Sequence, residues 1–300
     1  MLSNVAPKHI KSQSAMEYLM TYGWAILIIA IVLAALFSLG VFSPTAYTPK
    51  ASPGSCQVFR PNGPGTTSFI NLEGICNGEL PQYVAQFNGN GYIYANVTRM
   101  PSGSSPVTVT GWFYYTPSMP NPSMLWSYGT SGNCGAGNYF SLRYNLASGN
   151  PNYTFTTDPW CSQVATALTP KPYNWYFIAE TANLSGFAIY VGANGNVYYG
   201  IGGPPANVIP SEYFYIAKGY DGGNFVGYIS NLQIYNTVLS SNELKALYSE
   251  GIGGAPIKVQ NLIAWYPLNG NTNDYSGNDN NGVPNSVTYT SSWYSGYTSP

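Results

Sequence analysis

Two patterns of apolar position divide the chain. Residues 18–42, "YLMTYGWAILIIAIVLAALFSLGVF", contain no charged side chain. At about 1.5 Å rise per residue this run predicts a helix long enough to cross a bilayer's hydrocarbon core. Glu17 stands at its mouth, where a carboxylate is costly unless compensated, which marks a functional position. Ala30 and Ala34 share one face and permit close helix approach. The following "SPTAYTPKASPGS" predicts an extended linker. Beyond residue 80, short runs of Val, Ile, Tyr, Phe and Trp recur between Gly, Asn and Pro turns. The clearest are "YVAQFNGNGYIYA" (83–95), "VTVTGWFYY" (107–115), "YNWYFIAET" (173–181), "GFAIYVGANG" (186–195) and "NFVGYISNLQIYN" (224–236). Apolar residues alternate in "GFAIYVGA" and "YISNLQIY", so one face is expected inward and the other in solvent. This spacing predicts a β-sandwich or jelly roll. One helix is expected late in the chain. Ser240 or Ser241 caps it, Glu243 occupies its first turn, Leu244, Leu247 and Tyr248 form its apolar face, and Gly251 ends it.

Composition narrows the class. Charged residues make up 7% of the chain, against a usual quarter, while 16% are aromatic, including 28 tyrosines. That profile excludes a disordered chain. The net charge of −1 excludes nucleic acid as a partner, since no basic surface displaces counterions. So few charges would suit an acidic habitat, where carboxylates protonate and ion pairs fail. Lys8, His9 and Lys11 precede the apolar run, so the amino terminus is expected in the cytoplasm and the remainder outside. Cys56, Cys76, Cys134 and Cys161 all follow the helix, which favours disulfides on the exported side. Four cysteines permit three connectivities, the sequential pairs Cys56–Cys76 and Cys134–Cys161 being favoured. Zinc is disfavoured by the lack of a CxxC spacing and by the position of the single histidine before the helix. Asn96, Asn152 and Asn183 head glycosylation sequons.

Candidate chemistry is sparse. A glycosidase needs two carboxylates roughly 5 to 9 Å apart, usually at alternate positions of one strand in jelly-roll enzymes. Asp158, Glu180, Glu212 and Asp221 are instead isolated along the chain. No histidine follows the helix, so Ser–His and Cys–His pairs are excluded, and no enzyme activity is expected. Sugars stack on exposed aromatic rings, for which Trp126, Tyr128 and Trp160 are candidates in loop-like surroundings; the same rings would also serve as core. Asp274 and Asp279, in "NDYSGNDNNG", are candidate calcium ligands, or caps of a tight Asn/Gly turn.

"KSQSAMEYL" resembles the class III signal of archaeal type IV pilins, which is cut before the apolar segment. The resemblance implies Ser12 as the last leader residue, Gln13 as the new terminus and Glu17 as the acid at mature position five. In a filament the new ammonium would pair with a neighbour's Glu17 inside the apolar core, since an unpaired charge there is strongly penalised. A membrane and like subunits or other pilins are the implied partners. The plainer alternative is an uncleaved signal anchor, because the run is too long for an ordinary secretory signal.

The later strands resemble the LamG-like family of concanavalin A-type jelly rolls over about residues 83–252. "AQFNGNGYIYA" is similar to its Phe-x-Gly strand and "VTVTGWFYY" to its Trp-bearing strand. "FVGYISNLQIYNTVLSSNELKALYSEG" is similar to its closing strand and Leu-Ser-x-x-Glu helix. The resemblance implies glycan binding at the cell surface, no required cofactor, and a calcium site in some relatives. "NLIAWYPLNGNTNDYSGNDNNG" (261–282) looks like the opening strand of such a domain, yet it follows the closing helix. It is expected to add a permuted strand to the same sandwich, or alternatively to complete a neighbouring subunit by β-augmentation. The expected organisation is a leader (1–12), an apolar helix (13–43), a linker and cysteine-bounded segment (44–80), a mainly β jelly roll (81–255) and a strand-donating segment (256–300). The expected role is a pilin-like adhesion subunit with its C-terminal domain outside the cell; a monomeric anchored lectin and a carbohydrate-active enzyme are the alternatives.

Overall fold

Runs of β-branched and aromatic residues bounded by Gly and Asn turns build two eight-stranded sheets that pack face to face. The computed structural model describes residues 11–38, 50–51, 56–59, 69–72, 80–130, 139–146, 153–157, 163–219 and 223–300. The chain separates into two compact units, Met1–Thr48 and Pro49–Pro300.

The first unit contains α1 (Lys11–Ser38), of 28 residues. Its described side chains, residues 20–36, are exposed and apolar for the most part, including Trp24, Ile28 and Leu33. Among the described residues no helix is long and apolar enough to cross a membrane. Residues 39–43 of the expected span lie outside the described residues.

The second unit opens with two small ladders. In them β1 (Lys50–Ala51) pairs with β4 (Leu80–Pro81), and β2 (Cys56–Phe59) with β3 (Phe69–Leu72). One large sheet, here the back sheet, contains β5 (Val84–Asn88), β7 (Val107–Tyr115), β12 (Trp175–Asn183), β13 (Gly186–Ala193), β14 (Asn196–Gly202), β17 (Val226–Tyr235), β18 (Leu262–Tyr266) and β20 (Thr288–Thr290). Its order is β14-β13-β12-β7-β17-β5-β20, with β18 also on β17. The front sheet contains β6 (Tyr92–Ala95), β8 (Ser123–Gly129), β9 (Tyr139–Leu146), β10 (Tyr153–Thr157), β11 (Val164–Ala165), β15 (Phe214–Ile216), β16 (Gly223–Asn224) and β19 (Val283–Asn285). Its order is β11-β10-β9-β8-β15-β6-β19, with β16 on β8.

Between the sheets lies one core that includes Phe87, Phe113, Trp126, Phe140, Phe155, Phe187, Phe214 and Phe225. Each such side chain contributes roughly 1.5–3 kcal/mol by leaving water. A second cluster covers the outer face of the back sheet. Trp112, Tyr114, Trp175 and Phe177 lie there beneath Leu244, Leu247, Tyr248, Trp293 and Tyr297. The helix α2 (Ser241–Ser249) brings Leu244, Leu247 and Tyr248 to this face. Ser240 caps it by accepting from the Glu243 N–H, while Glu243 Oε2 accepts from the Ser240 N–H at 2.8 Å. Gly192 makes the close approach possible, since a Cβ there would fall 2.6 Å from the Tyr248 ring.

This cover corrects one expectation. All eight residues of β13 are buried, and in "YISNLQIY" every residue but Tyr228 is buried, so the solvent-facing side expected of both segments is buried as well. The alternation assigns the faces, but the cover arrives from distant segments. Part of that cover comes from the C-terminal region. β5 pairs with the first half of β17, Val226 to Ile229, and β18 with the second half, Leu232 to Tyr235. β19 and β20 then extend opposite sheets, pairing with β6 and β5.

Candidate functional site

Strand pleating places the front sheet's outward residues. In β6 and β15, Ile93, Ala95, Phe214 and Ile216 enter the core, so Tyr92, Tyr94, Tyr213 and Tyr215 face outward from this part of the sheet. Tyr94 lies directly opposite Tyr215 in the ladder. The four rings form a cluster. Tyr94 meets Tyr213 edge-on at 5.1 Å, Tyr92 meets Tyr215 at 6.3 Å, and Tyr213 meets Tyr215 at 6.2 Å. Edge-to-face packing of this kind stabilises each pair by about 0.5–1.5 kcal/mol and holds the rings in place. All four remain half-buried.

Lys218 supplies a cation at the border. Its Nζ lies 4.0 Å from the centre of the Tyr92 ring and 5.0 Å from that of Tyr215. Beside it opens a pocket of about 240 Å³ whose lining includes Tyr128, Tyr139, Ser211, Tyr215 and Lys218. The loop carrying Lys218 is fixed by Ser127 Oγ, which donates to the Lys218 carbonyl at 2.7 Å. Ser211 Oγ accepts from the Gly129 N–H at 3.0 Å and donates to the Tyr213 carbonyl at 2.8 Å. Burial, with neighbouring Tyr92, Glu212 and Tyr94, holds the Tyr215 phenol above its ordinary range. A hydrogen bond with Glu212, with smaller contributions from partial burial and nearby tyrosines, raises Tyr213. Both rings therefore stay neutral near pH 7, with hydroxyls able to donate and accept. Fixed neutral rings, hydroxyls and one ammonium suit a ligand that offers C–H faces and many hydroxyls.

The expected sugar-binding rings lie elsewhere. Trp126 is in β8 rather than a loop and is completely buried, its Nε1 donating to Glu180 Oε2 at 2.7 Å. Glu180 is buried too and also accepts from Thr157 Oγ1. Tyr128 is largely buried in the inter-sheet core, although it borders the front pocket. The reason is the alternation of "SMLWSYG", which sends Trp126 and Tyr128 inward. Trp160 lies outside the described residues, as do Cys76, Cys134, Cys161, Asn152, Asp158 and Asp221. Cys56 starts β2, its side chain likewise outside the description. Ser12, Gln13 and Glu17 lie on α1, and the description does not extend to their side chains. Asn96 is exposed, and Asn183 sits in the β12–β13 turn, where its Oδ1 accepts from the Ser185 N–H at 2.7 Å.

The calcium expectation does not fit the loop. Asp274 Oδ1 accepts from the Trp265 and Ser276 N–H groups at 2.8 and 2.9 Å. Its Oδ2 accepts from Ser276 Oγ and the Asn280 N–H at 2.9 and 3.0 Å. These four donors occupy both oxygens, so Asp274 braces the turn. Asp279 is exposed, with a left-handed φ of 58°. Among the described residues no three His, Cys, Asp or Glu side chains gather as a metal site.

Two packed sheets of this order define the jelly-roll class of architecture. The chain belongs to the concanavalin A-like lectin/glucanases superfamily, matching it over residues 87–245, more than half of its 300 residues. Among solved structures, a presumed carbohydrate binding protein from Bacteroides ovatus matches at 18% identity with a TM-score of 0.52, over 76% of this chain and 64% of that one. The chain thus spans less than two thirds of that protein, and the likeness shows the fold alone. A heptameric SAP-like pentraxin from Limulus polyphemus matches at 16% identity and TM-score 0.47, over 70% of this chain and 94% of its own. Domain 4 of an extracellular arabinanase from Geobacillus stearothermophilus, in complex with arabinotriose, matches at 16% identity and TM-score 0.41, over 54% of this chain and 75% of its own. Among curated proteins none matches the chain.

Proposed function

We propose that this chain is a cell-surface glycan-binding protein whose front-sheet tyrosines are the sugar-contacting face. The carrying observation is the contrast in cover. Trp112, Tyr114, Trp175 and Phe177 on the back sheet are roofed by α2, Trp293 and Tyr297, whereas Tyr92, Tyr94, Tyr213 and Tyr215 keep accessible surface beside a pocket. The Bacteroides protein's presumed carbohydrate binding accords with this reading. The reading includes no enzyme activity, and it is supported by Glu180, which is committed to Trp126 and Thr157 inside the core. The apolar segment of 13–43 anchors the domain at the membrane, and pilin-like processing after Ser12 would carry it into a filament through Glu17. The test is to present the intact chain to an immobilised glycan array and to sequence the amino terminus of protein recovered from native envelopes. Retention on a defined set of glycans and a start at Gln13 are expected. Retention on none removes the glycan-binding reading, and an intact leader leaves a plain anchored lectin.

A further inference from the structure

The strand paths of the two large sheets end on β14, β20, β11 and β19, and β14 differs from the rest. β11 is only Val164–Ala165, β20 only Thr288–Thr290, and β19 carries Pro284. Short strands and proline are the usual protections of a sheet edge. β14 runs for seven residues, "NVYYGIG", with no proline and no charged side chain. It pairs with β13 on one side and, among the described residues, with no strand on the other. β11 approaches β14 from below rather than from beside. A Cβ at Gly200, which would point to the inner face, would fall 2.1 Å from the Ala165 carbonyl oxygen.

The hairpin register decides which groups of β14 face away from the sheet. Ala193 and Asn196 close a turn whose Asn194 and Gly195 both have left-handed φ, 51° and 73°. The closing pair of such a turn exchanges both main-chain hydrogen bonds, and the exchange recurs at every second residue. Asn196, Tyr198, Gly200 and Gly202 therefore bond to β13. The N–H and C=O groups of Val197, Tyr199 and Ile201 point outward along the open edge. The side chains of these three share the outer face of the back sheet with Tyr190, whose ring centre lies 6.2 Å from that of Tyr199. Tyr199 and Ile201 are 66% and 67% exposed.

This outward set reads alike in both directions about Tyr199. A second β14, turned by a two-fold axis at that residue, sets Tyr199 against Tyr199 and Val197 against Ile201 on both sides. All of these are outward-bonding positions, so the antiparallel pairing makes about six main-chain hydrogen bonds. On the outer face it places ring beside ring and aliphatic beside aliphatic. Charge permits the match, since β13, its turn and β14 carry no charged side chain and two copies meet without like charges opposed. We propose that β14 joins two copies of this chain, antiparallel about Tyr199, so that their back sheets run on as one. A ladder of this length lies at the small end of protein interfaces, so a dissociation constant on the order of tens of micromolar is expected. The contact uses none of the front-sheet tyrosines and does not depend on their role.

The experiment is sedimentation of the intact chain in density-matched detergent micelles, with Tyr199→Lys and Tyr199→Glu chains run singly and mixed. Tyr199 is exposed and its main-chain groups face away from β13, so both variants should fold normally, which far-ultraviolet circular dichroism checks. The unmodified chain should dimerise. Each variant alone opposes like charges on the two-fold axis and should dimerise about tenfold more weakly, while the mixture should recover as a heterodimer. Amide exchange at Val197, Tyr199 and Ile201 should slow as the concentration of the unmodified chain rises. A monomeric unmodified chain overturns the proposal, as do dimers that survive both single variants, which would mark association through α1 or another surface. A mixture that fails to recover overturns the two-fold register. Protection of the three amides that does not change with concentration assigns the edge to another segment of the same chain and overturns the proposal too.

Discussion

On the back sheet, Trp112, Tyr114, Trp175 and Phe177 point away from the inter-sheet core and disappear beneath α2 and the C-terminal region. On the front sheet, Tyr92, Tyr94, Tyr213 and Tyr215 point outward too, and remain half-exposed. The same residue types thus act as a second core on one face and as an available surface on the other. An outward aromatic therefore says little until its cover is known. Covered rings gain apolar burial, while uncovered ones keep surface that a ligand can reach.

If the back face is a true second core, deleting its roof should be severe. Trp293 is completely buried, and its indole N–H donates to the Pro81 carbonyl at 3.2 Å. Trp293→Ala should cost about 3–5 kcal/mol in urea unfolding. The inter-sheet core has its own polar pin. Glu180→Ala would orphan the buried Trp126 N–H and Thr157 hydroxyl, which should cost roughly 2–4 kcal/mol by the same measurement. Loss of the α2 cap in Ser240→Ala should cost about 1 kcal/mol.

The smallest effect is electrostatic. Partial burial pushes the Glu243 carboxyl up, but Lys258 and both hydrogen bonds from Ser240 outweigh it and hold the group below its ordinary range. Its contribution is thus present above the unfolded carboxylate value of about 4.3 and is lost as pH falls through the lower folded value. Glu250, raised by burial, acts with the opposite sign: it costs nothing below the unfolded value and destabilises as pH rises through its folded one. Lys258→Met, which removes the 2.7 Å pair with Glu243, should lower stability near pH 7 by about 0.5 kcal/mol and flatten the acid limb. A larger change would mean that this surface pair holds the roof down.

Much of the sandwich was legible because its signals are local. The alternation in "YISNLQIY" and the Ser240–Glu243 pair each report on adjacent residues, and β17 and α2 occur where they point. The cover was hidden, since Trp293 and Tyr297 reach Trp112 and Trp175 from more than a hundred residues away. Trp126 looked like a loop residue because "NPSMLWSYG" begins with turn signals, yet β8 starts at Ser123. The tyrosine face did leave a trace, the Tyr-x-Tyr spacing in "GYIYA" and "EYFYI". Nothing in either segment shows that the two would become neighbours, which only the β6–β15 ladder supplies.

The most direct test is a binding isotherm for the Tyr92→Ala, Tyr215→Ala chain, using the glycan that the unmodified chain retains best. With two of the four rings gone, affinity should fall about tenfold to a hundredfold. Affinity equal to that of the unmodified chain would contradict the assignment of the uncovered face as the sugar-contacting surface.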